Sequence, residues 1–266
     1  MGKGIISYGQ HYLESEEVKN CLIDSADLNK KDIVVEIGAG DGRITTKIAE
    51  KAGKVISYEI DEKTRAVLEK LCKEKANITI NFENFLTAKL PNANKIVASL
   101  PYQITEPFIE KIKNIDSLER VTLLVGKTFG VLADKKKEQK ISKLLLLVRC
   151  YFNGEYIQDV AKENFNPPPN TMSSIINLFP KNKKELINEP ALFVMREIFE
   201  QRDKKVSNAL REGIIRLYAE KGIIKTKRET KEFIKNYFEE GILDCYLEQM
   251  NNSQIEDLFN KMNVAL

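Results

Sequence analysis

The sequence is poor in the residues that build metal and redox sites. It has one histidine, His11, no tryptophan, and four cysteines that form no C-x-x-C pair. A zinc site needs several histidine or cysteine ligands at short spacing, and a disulfide framework needs paired cysteines, so neither is supported. Catalysis by a thiolate or an imidazole is also disfavoured, and we expect no metal.

Long apolar runs are absent as well. No run approaches the roughly 20 residues that span a bilayer, and the first residues lack the hydrophobic region and cleavage site of a signal peptide. We therefore expect a cytoplasmic protein with no membrane partner, acting as a monomer. The 266 residues, of which 42% are hydrophobic and 30% charged, are enough for one large and one small domain.

The most informative stretch runs from Lys31 to Arg43. A short apolar run rich in β-branched residues opens onto Gly38, Gly40 and Gly42, and a helical pattern follows from Arg43. Such a run is typical of a central parallel strand that is buried on both faces. Glycines at alternate positions allow a tight turn and let a ligand lie against bare main chain, and the helix directs its N-terminal amides at that ligand.

Two cofactors use such a turn. A dinucleotide fingerprint, G-x-G-x-x-G, would require a third glycine at position 43, where this chain has Arg43. The pattern present is E-x-G-x-G-x-G from Glu36, which resembles the turn of S-adenosylmethionine methyltransferases. Glu59 ends the next apolar run, where an acid can accept hydrogen bonds from both ribose hydroxyls. The alternative is a plain glycine turn beside a strand-end glutamate.

Periodicity predicts an α/β sheet followed by helices alone. A proline-rich loop, 164–170, lies between the last two predicted strands. The helices are predicted at 15–26, 43–52, 61–75, 141–151, 190–200, 204–217, 227–238 and 252–261, with a further helix starting in 103–108. The strands are predicted at 33–37, 54–58, 77–82, 95–98, 121–125, 156–160 and 174–179. We place the domain boundary where the pattern changes, which gives domains 1–180 and 181–266.

Basic residues cluster although the net charge is only +3. One cluster contains Lys135, Lys136 and Lys137, and a second lies in the tract 202–231. Such clusters suit the phosphate backbone of a nucleic acid. The alternative is an ordinary solvated helix face.

Five segments in order carry a resemblance to a known family. They are Gln10-His11-Tyr12-Leu13, the Gly38 turn, Ser99-Leu100-Pro101-Tyr102, the Phe165 proline loop, and Phe199-Glu200-Gln201-Arg202-Asp203-Lys204-Lys205. Over nearly its whole length the chain resembles the rRNA adenine N6-dimethyltransferase family. The resemblance implies a Rossmann-like S-adenosylmethionine methyltransferase sheet, a smaller C-terminal all-helical RNA-binding domain, and methylation of adenine N6 in small-subunit rRNA.

The resemblance also implies roles for individual residues. Ser99 and the Leu100 carbonyl would accept the protons of the target amine, rigid Pro101 would hold the segment in the crevice, and Tyr102 and Phe165 would stack on an extruded base. The alternative for the two aromatic rings is a place in the core. The residues implied for the cofactor are Gln10, His11, Leu13, Glu36, Gly38, Gly40, Gly42, Glu59, Ile60, Asn84, Phe85 and Ser99. Those implied for RNA are Lys135, Lys136, Lys137, Arg202, Lys204, Lys205 and Arg211.

The chain also departs from the family pattern. His11-Tyr12 replaces Asn-Phe, Asn84 replaces an acid, Ser99 replaces an asparagine, and Asp203 interrupts a basic pair. Because serine occupies the equivalent position in many cytosine N4 methyltransferases, cytosine N4 is an alternative target. A non-catalytic ribosome-assembly factor of the same fold is a second alternative. In a third interpretation, serine at position 99 is a neutral replacement, the Leu100 carbonyl is the main acceptor and adenine remains the target.

Overall fold

A computed structural model of the chain describes residues 11–89, 91–134 and 139–266. Within these residues the chain forms two compact units. One contains 11–134 and Gly154–Pro180, and the other contains 139–153 and Lys181–Leu266. Residues 139–153 thus group with the C-terminal unit, and the division into domains 1–180 and 181–266 stays a prediction.

The first unit is built on a seven-stranded sheet. The described strands are β1 (Tyr12–Leu13), β2 (Ile33–Ile37), β3 (Lys54–Tyr58), β4 (Ile78–Asn81), β5 (Lys95–Ser99), β6 (Arg120–Gly126), β7 (Phe152–Val160), β8 (Phe165–Asn166) and β9 (Ser173–Pro180). The large sheet has the order β4-β3-β2-β5-β6-β9-β7, and β1 pairs with β8 in a separate two-stranded sheet. The pairs from β4 through β6 are parallel, and β9 runs antiparallel to β6.

The central strands are apolar because both of their faces are covered. Val34 and Val35 of β2 point to opposite faces of the sheet, and both side chains have 0% exposure. Helices of the same unit cover these faces. They are α1 (Glu16–Ser25), α2 (Arg43–Lys51), α3 (Arg65–Glu74), α4 (Thr105–Ile112) and α5 (Lys127–Leu132). Burial on both faces is the usual environment of a parallel strand.

The second unit consists of helices. They are α6 (Lys143–Tyr151), α7 (Pro190–Glu200), α8 (Val206–Glu220), α9 (Lys227–Tyr237), α10 (Glu240–Leu243) and α11 (Asn252–Ala265). Phe193 and Phe199 of α7 are almost fully buried and anchor its core. Capping boxes at Thr226 and Asn251 start α9 and α11 by satisfying backbone amides that lack helical partners.

This architecture confirms the predicted α/β fold with a helical C-terminal region. The prediction missed α5, α10 and the β1–β8 pair. Each of these elements is short, and the two strands of the small sheet lie more than 150 residues apart in the chain, so local periodicity carries little signal for them. In the part of the chain that the structure describes, no helix has the length and apolar character needed to cross a membrane.

Candidate active site

The candidate site lies between β2 and β5, where the sheet changes its direction of growth. The chain adds β3 and β4 on one side of β2 and then returns to place β5 on the other side. Open α/β sheets bind ligands at this switch point, outside the carboxyl ends of the strands. Gly38 follows β2 and Ser99 ends β5, and a Cβ atom added to Gly38 would lie 3.9 Å from the Ser99 carbonyl oxygen. The two predicted motifs are therefore adjacent.

The glycine turn, Gly38–Gly42, adopts a backbone conformation that favours glycine. The φ angles of Gly38, Gly40 and Gly42 are +82°, +55° and +82°, a region that other residues rarely enter. At Gly42 packing adds a second requirement, because a Cβ atom there would lie 3.0 Å from Leu71 Cδ2. At Gly38 the nearest described atom to such a Cβ is the Ser99 oxygen. Main chain without side chains at these three positions fits a cofactor that lies along the backbone.

Glu59, at the end of β3, holds the glycine turn in place. Its side chain is buried, and its Oε2 accepts a hydrogen bond of 2.8 Å from the Gly40 amide. Its Oε1 accepts two more, each 2.8 Å long, from the amides of Ile60 and Asp61. A carboxylate has about four acceptor positions, so Glu59 can brace the turn and still accept a bond from a ligand hydroxyl.

Glu36, in the middle of β2, is a buried carboxyl group with one free oxygen. Its Oε2 accepts hydrogen bonds of 2.6 Å from the hydroxyls of Thr45 and Ser57, while its Oε1 has no partner among the described residues. Burial raises the pKa of Glu36 to about 7, against the opposing effect of the two hydroxyls. The carboxyl group therefore changes charge near neutral pH.

Three further predicted cofactor residues lie beyond β3 and β4. Ile60 exposes 44% of its surface directly after Glu59, which suits contact with a flat apolar ring. Asn84 is exposed, and its Oδ1 accepts a bond of 2.9 Å from the Leu86 amide, so its amide nitrogen remains available as a donor. Phe85 is only 3% exposed and packs edge-to-face on Tyr58 with ring centroids 5.2 Å apart. In this structure Phe85 is thus a core residue.

Residues 11–15, here called the N-terminal strap, join the glycine turn to the proline-rich loop. Tyr12 and Leu13 pair with Asn166 and Phe165 as β1 and β8. His11 Nδ1 lies 2.7 Å from the Pro167 carbonyl oxygen and donates to it in the tautomer protonated there. The strap is therefore hydrogen-bonded to the loop along its length.

The opposite side of the strap contacts the glycine turn. A Cβ atom on Gly40 would lie 3.4 Å from Tyr12 Cε1, so the ring covers this glycine. Burial raises the pKa of the Tyr12 phenol, and Asp61, Asp41 and Glu59 add smaller contributions in the same direction. The ring thus covers the turn beside three carboxylates.

An ion pair adds a second connection between the strap and the turn. Glu14 Oε2 accepts a bond of 2.8 Å from Arg43, the first residue of α2, and Arg43 also pairs with Asp41 at 2.7 Å. The hydrogen bond from Arg43 lowers the pKa of Glu14. Sequence analysis missed this pairing of Glu14 with Arg43, because opposite charges 29 residues apart give no local signal.

The predicted catalytic segment, Ser99–Tyr102, begins at the carboxyl end of the central strand β5. The Leu100 amide donates a 3.0 Å bond to the Leu124 carbonyl, which fixes the segment against β6. The Pro101 carbonyl accepts a bond from the Ile104 amide and so starts the short turn before α4. Ser99 is half-buried, and its hydroxyl makes no hydrogen bond among the residues that the structure describes. The Tyr102 side chain lies outside that part of the structure.

Phe165, predicted to stack on a base, lies in the hydrophobic core. It is 5% exposed and belongs to a cluster with Leu13, Val160 and Ile175. A ring that stacks on a base must offer a free face, so in this conformation Phe165 matches the alternative interpretation. A stacking role stays a prediction and requires the loop to open.

The cations predicted for RNA are mostly paired with acids. Arg202 Nη1 lies 2.5 Å from Glu248, Lys204 Nζ lies 3.0 Å from Glu212, and Lys205 Nζ lies 3.0 Å from Asp244. Arg211 is half-buried, and its Nε has no hydrogen-bond partner among the described residues. Gln10, Lys135, Lys136 and Lys137 lie outside the described residues, and the roles assigned to all of these side chains stay predictions.

Comparison with known proteins agrees with this geometry. The family described as "Ribosomal RNA adenine dimethylase" matches residues 1–242. The probable ribosomal RNA small subunit methyltransferase A of Methanococcus maripaludis strain C7 is 31% identical over 87% of this chain and 88% of its own length. The ribosomal RNA small subunit methyltransferase A of Thermotoga maritima is 31% identical over 76% of this chain and 73% of its own.

Solved structures share the fold at lower identity. A dimethyladenosine transferase from Plasmodium falciparum superposes with a TM-score of 0.62 and 21% identity, and covers 96% of this chain and 98% of its own. The 23S rRNA methyltransferase ErmE superposes with a TM-score of 0.61 and 20% identity, over 95% of this chain and 99% of its own. The match over residues 1–242 and the relatives at 31% identity confirm the predicted resemblance: the chain belongs to the ribosomal RNA adenine dimethylase family.

Proposed function

We propose that this protein is an S-adenosylmethionine-dependent methyltransferase that dimethylates adenine N6 in small-subunit rRNA. The observation that carries the proposal is the adjacency of the Gly38 turn and Ser99 at the switch point, in a chain that belongs to a family of ribosomal RNA adenine dimethylases. The turn supplies a backbone surface for the cofactor, and the end of β5 supplies acceptors for a base amine. Both groups that the reaction must bring together thus have a place in one crevice.

The cofactor proposal rests on the chemistry of the turn. Glu59 presents carboxylate oxygens beside bare main chain, which favours a ribose with free hydroxyls. Exposed Ile60 and the Asn84 amide nitrogen suit the face and edge of an adenine ring. The unpartnered Oε1 of Glu36 is a further acceptor beside the turn. When bound, S-adenosylmethionine supplies an electrophilic methyl group.

The methyl acceptor is a weak nucleophile, because the lone pair of an exocyclic amine is delocalised into the base. We assign the Ser99 hydroxyl and the Leu100 carbonyl as acceptors for the two amine protons. Their bonds favour the tetrahedral amine, whose lone pair is then free to attack. A strong base is not required, because methyl transfer from a sulfonium depends mainly on in-line proximity. The lack of a catalytic histidine or cysteine therefore agrees with the proposal.

Ser99 makes the choice of base the most specific point to test. Its side chain is shorter than the asparagine that the family resemblance leads one to expect, so its hydroxyl reaches a purine amine directly only if the base lies deeper. Otherwise a bridging water is needed. A cytosine N4 target would suit the same hydroxyl, and it is an outcome that the experiment must separate from adenine.

The test is methylation of unmodified small-subunit rRNA with cofactor labelled on its methyl group, followed by digestion to nucleosides. We expect label in N6,N6-dimethyladenosine. Label in N4-methylcytidine would overturn the assignment of adenine. If the protein binds the rRNA but transfers no label, it acts as a non-catalytic assembly factor. The variant Ser99→Asn should keep or gain activity if adenine is the target, and lose it if serine is fitted to cytosine.

Calorimetric titration tests the cofactor independently of the RNA. S-adenosylmethionine should bind and NAD should not, since Arg43 stands where a dinucleotide turn would need glycine. Binding of NAD alone would refute this part of the proposal. We also propose that the protein is cytoplasmic and monomeric, and sedimentation of the purified chain tests whether it is a monomer. We further propose that residues 1–180 transfer the methyl group and that residues 181–266 hold RNA, and expression of the two segments tests this division.

A further inference from the structure

We propose that the RNA is contacted by one face of α9 and by the turn before it, rather than by the segment Arg202–Lys205. The contact surface consists of Lys227, Arg228, Lys231 and Lys235 on α9, here called the α9 basic face, together with the apolar tip Ile223-Ile224. This inference rests on the proposed function, because it names the surface on which that function binds its substrate. The partner is the phosphate backbone of structured RNA, with the apolar tip against its sugars and bases.

The α9 basic face is a single continuous surface. Lys227, Lys231 and Lys235 recur every fourth residue, which spaces them about 6 Å apart along the helix axis. Arg228 lies beside them, so the four cations fall within an arc of about 100°. Thr230 and Ile234, which are 1% and 3% exposed, anchor α9 along the flank of this arc next to Lys227. All four cations nevertheless remain exposed to solvent.

These cations differ from those of the segment Arg202–Lys205 in forming no ion pair within the described part of the chain, although Glu229 and Glu232 lie on the same helix. All four are exposed, and among the described residues none of them forms an ion pair. Glu229, the acid in the first turn of α9, is engaged in the capping box with Thr226. In contrast, Arg202, Lys204 and Lys205 each pair with a carboxylate within 3.0 Å. An unpaired cation loses no protein partner when it binds a phosphate.

The turn before α9 holds two apolar side chains in water. Ile224 is 92% exposed and Ile223 is 47% exposed. The turn is held at both ends, because α8 ends in a Schellman motif and α9 begins with a capping box. In that motif the Ile223 amide bonds to the Tyr218 carbonyl at 2.8 Å, and Gly222 adopts a φ of +74°. The exposure of the tip is thus fixed by the fold.

Charge complementarity selects the partner. Lys221 and Lys225 lie within 6.0 Å and 5.1 Å of the Tyr218 ring, so the apolar tip is flanked by cations on both sides. A surface of exposed cations with an apolar wedge beside them suits nucleic acid, whose backbone is anionic and whose groove offers apolar sugar and base surfaces. An acidic protein or an anionic membrane would attract the same cations, and the experiment below distinguishes both from RNA.

The main experiment compares two triple variants of the full chain. The first is Lys227→Gln, Lys231→Gln and Lys235→Gln, and the second is Arg202→Gln, Lys204→Gln and Lys205→Gln, which removes the same charge from the same unit. Binding of unmodified small-subunit rRNA is measured against salt concentration. Since each phosphate contact contributes roughly 0.7 to 0.9 to the salt slope, the first variant should lower the slope by about 2 to 3 and weaken binding at least about tenfold. The second should lower the slope by less than about 1.

A separate variant tests the apolar tip. Ile224→Ser removes apolar surface without changing charge, so it should weaken RNA binding by about tenfold and leave the salt slope unchanged. Melting temperature and S-adenosylmethionine affinity equal to those of the wild type establish that the α9 and Ile224 variants remain folded. Lysine and glutamine have similar helix propensities, so α9 itself should persist.

The outcomes separate this inference from the proposed function. If the wild type binds and methylates the rRNA and the α9 variant binds it with unchanged affinity and slope, the contact surface is elsewhere and the inference is refuted. If the α9 variant loses RNA binding while the wild type binds RNA but methylates nothing, the surface is supported and the proposed reaction fails. If the α9 substitutions abolish binding to phosphatidylglycerol vesicles or to an acidic ribosomal protein and leave RNA binding intact, the partner is not RNA.

Discussion

The glycine turn and the cationic surface of the helical unit are stabilised by different kinds of interaction. The turn is fixed by backbone amides that donate to the buried carboxylate of Glu59 and by glycines in a conformation that few residues adopt. The cations of the helical unit are side chains at the surface, paired across the fold with exposed acids or left unpaired. Buried, hydrogen-bonded groups are costly to disturb, whereas exposed ion pairs contribute little. Substitutions in the two regions should therefore differ in kind as well as in size.

The largest expected effect is on stability, at Phe165. Phe165→Ala should lower the free energy of unfolding by about 3 to 5 kcal/mol, because it removes a buried ring from the core. Chemical denaturation measures the change. Phe165→Leu is the matched control, since it keeps most of the apolar volume and should cost about 1 to 2 kcal/mol. If the leucine variant is nearly as stable as the wild type but loses more than tenfold in kcat/KM, the ring also acts on the base.

Next in size is a pH effect at Glu36. The folded chain retains the proton of this carboxyl group up to about pH 7, whereas the unfolded chain releases it near pH 4. Between these values the folded state binds more protons, so its stability falls as pH rises through this window. Glu36→Gln has no such proton. The stability of the wild type relative to this variant should thus fall by about 3 kcal/mol from pH 4 to pH 8.

Denaturation of the cofactor-free protein at several pH values measures this difference. A wild type and a Glu36→Gln variant with parallel pH profiles would contradict the assignment of the raised pKa to Glu36. The comparison of the two profiles cancels the contributions of other titrating groups, because those groups are common to both proteins.

An effect on binding is expected at Glu59. Glu59→Ala removes the acceptor of three backbone amides and the acceptor that we assign to the ribose. Affinity for S-adenosylmethionine, measured by calorimetry, should fall about 100-fold. Glu62→Gln is the control, because Glu62 is an exposed acid nearby that pairs only with Arg65 among the described residues. Equal losses in both variants would mean that net charge, not the position of Glu59, controls affinity.

The smallest effect is expected in the helical unit. Arg202→Gln breaks the ion pair with Glu248, in which the arginine is 25% and the glutamate 50% exposed. The free energy of unfolding should fall by less than about 1 kcal/mol, and less still at high salt. Denaturation at low and high salt checks this. A loss of several kcal/mol would show that the surface pairs are as firmly held as the glycine turn, which would remove the contrast between the two regions.

The difference between the glycine turn and the cations of the helical unit also explains which features could be predicted from the sequence. The glycine turn was predicted because its geometry depends on residues close together in the chain and on strand ends that a parallel sheet brings to one edge. The ion pairing of the cations was not predicted, because Arg202 pairs with an acid 46 residues away and Lys205 pairs with an acid 39 residues away. The pairing of the strap with the proline-rich loop was likewise missed, since β1 and β8 lie more than 150 residues apart in the chain.

Burial was the other point that the sequence left open. Both Phe165 and Phe85 follow motifs that point to a ligand, yet each ring packs in the core in this structure. An aromatic residue in a functional motif fits either role, because its ring has apolar surface for a core and a flat face for stacking. Deciding between the roles needs the neighbours of the ring, and those come from other segments of the fold.

The N-terminal strap links two events that a dimethylating enzyme must keep in order. The second methyl transfer needs fresh cofactor, so spent cofactor has to leave while the once-methylated base is still held, or the base must be bound again. Because Tyr12 covers Gly40 while its own backbone pairs with Asn166, any displacement of the strap would disturb the proposed cofactor surface and the loop that follows Phe165 together. We therefore expect release of spent cofactor and retention of the once-methylated base to depend on the same short strand.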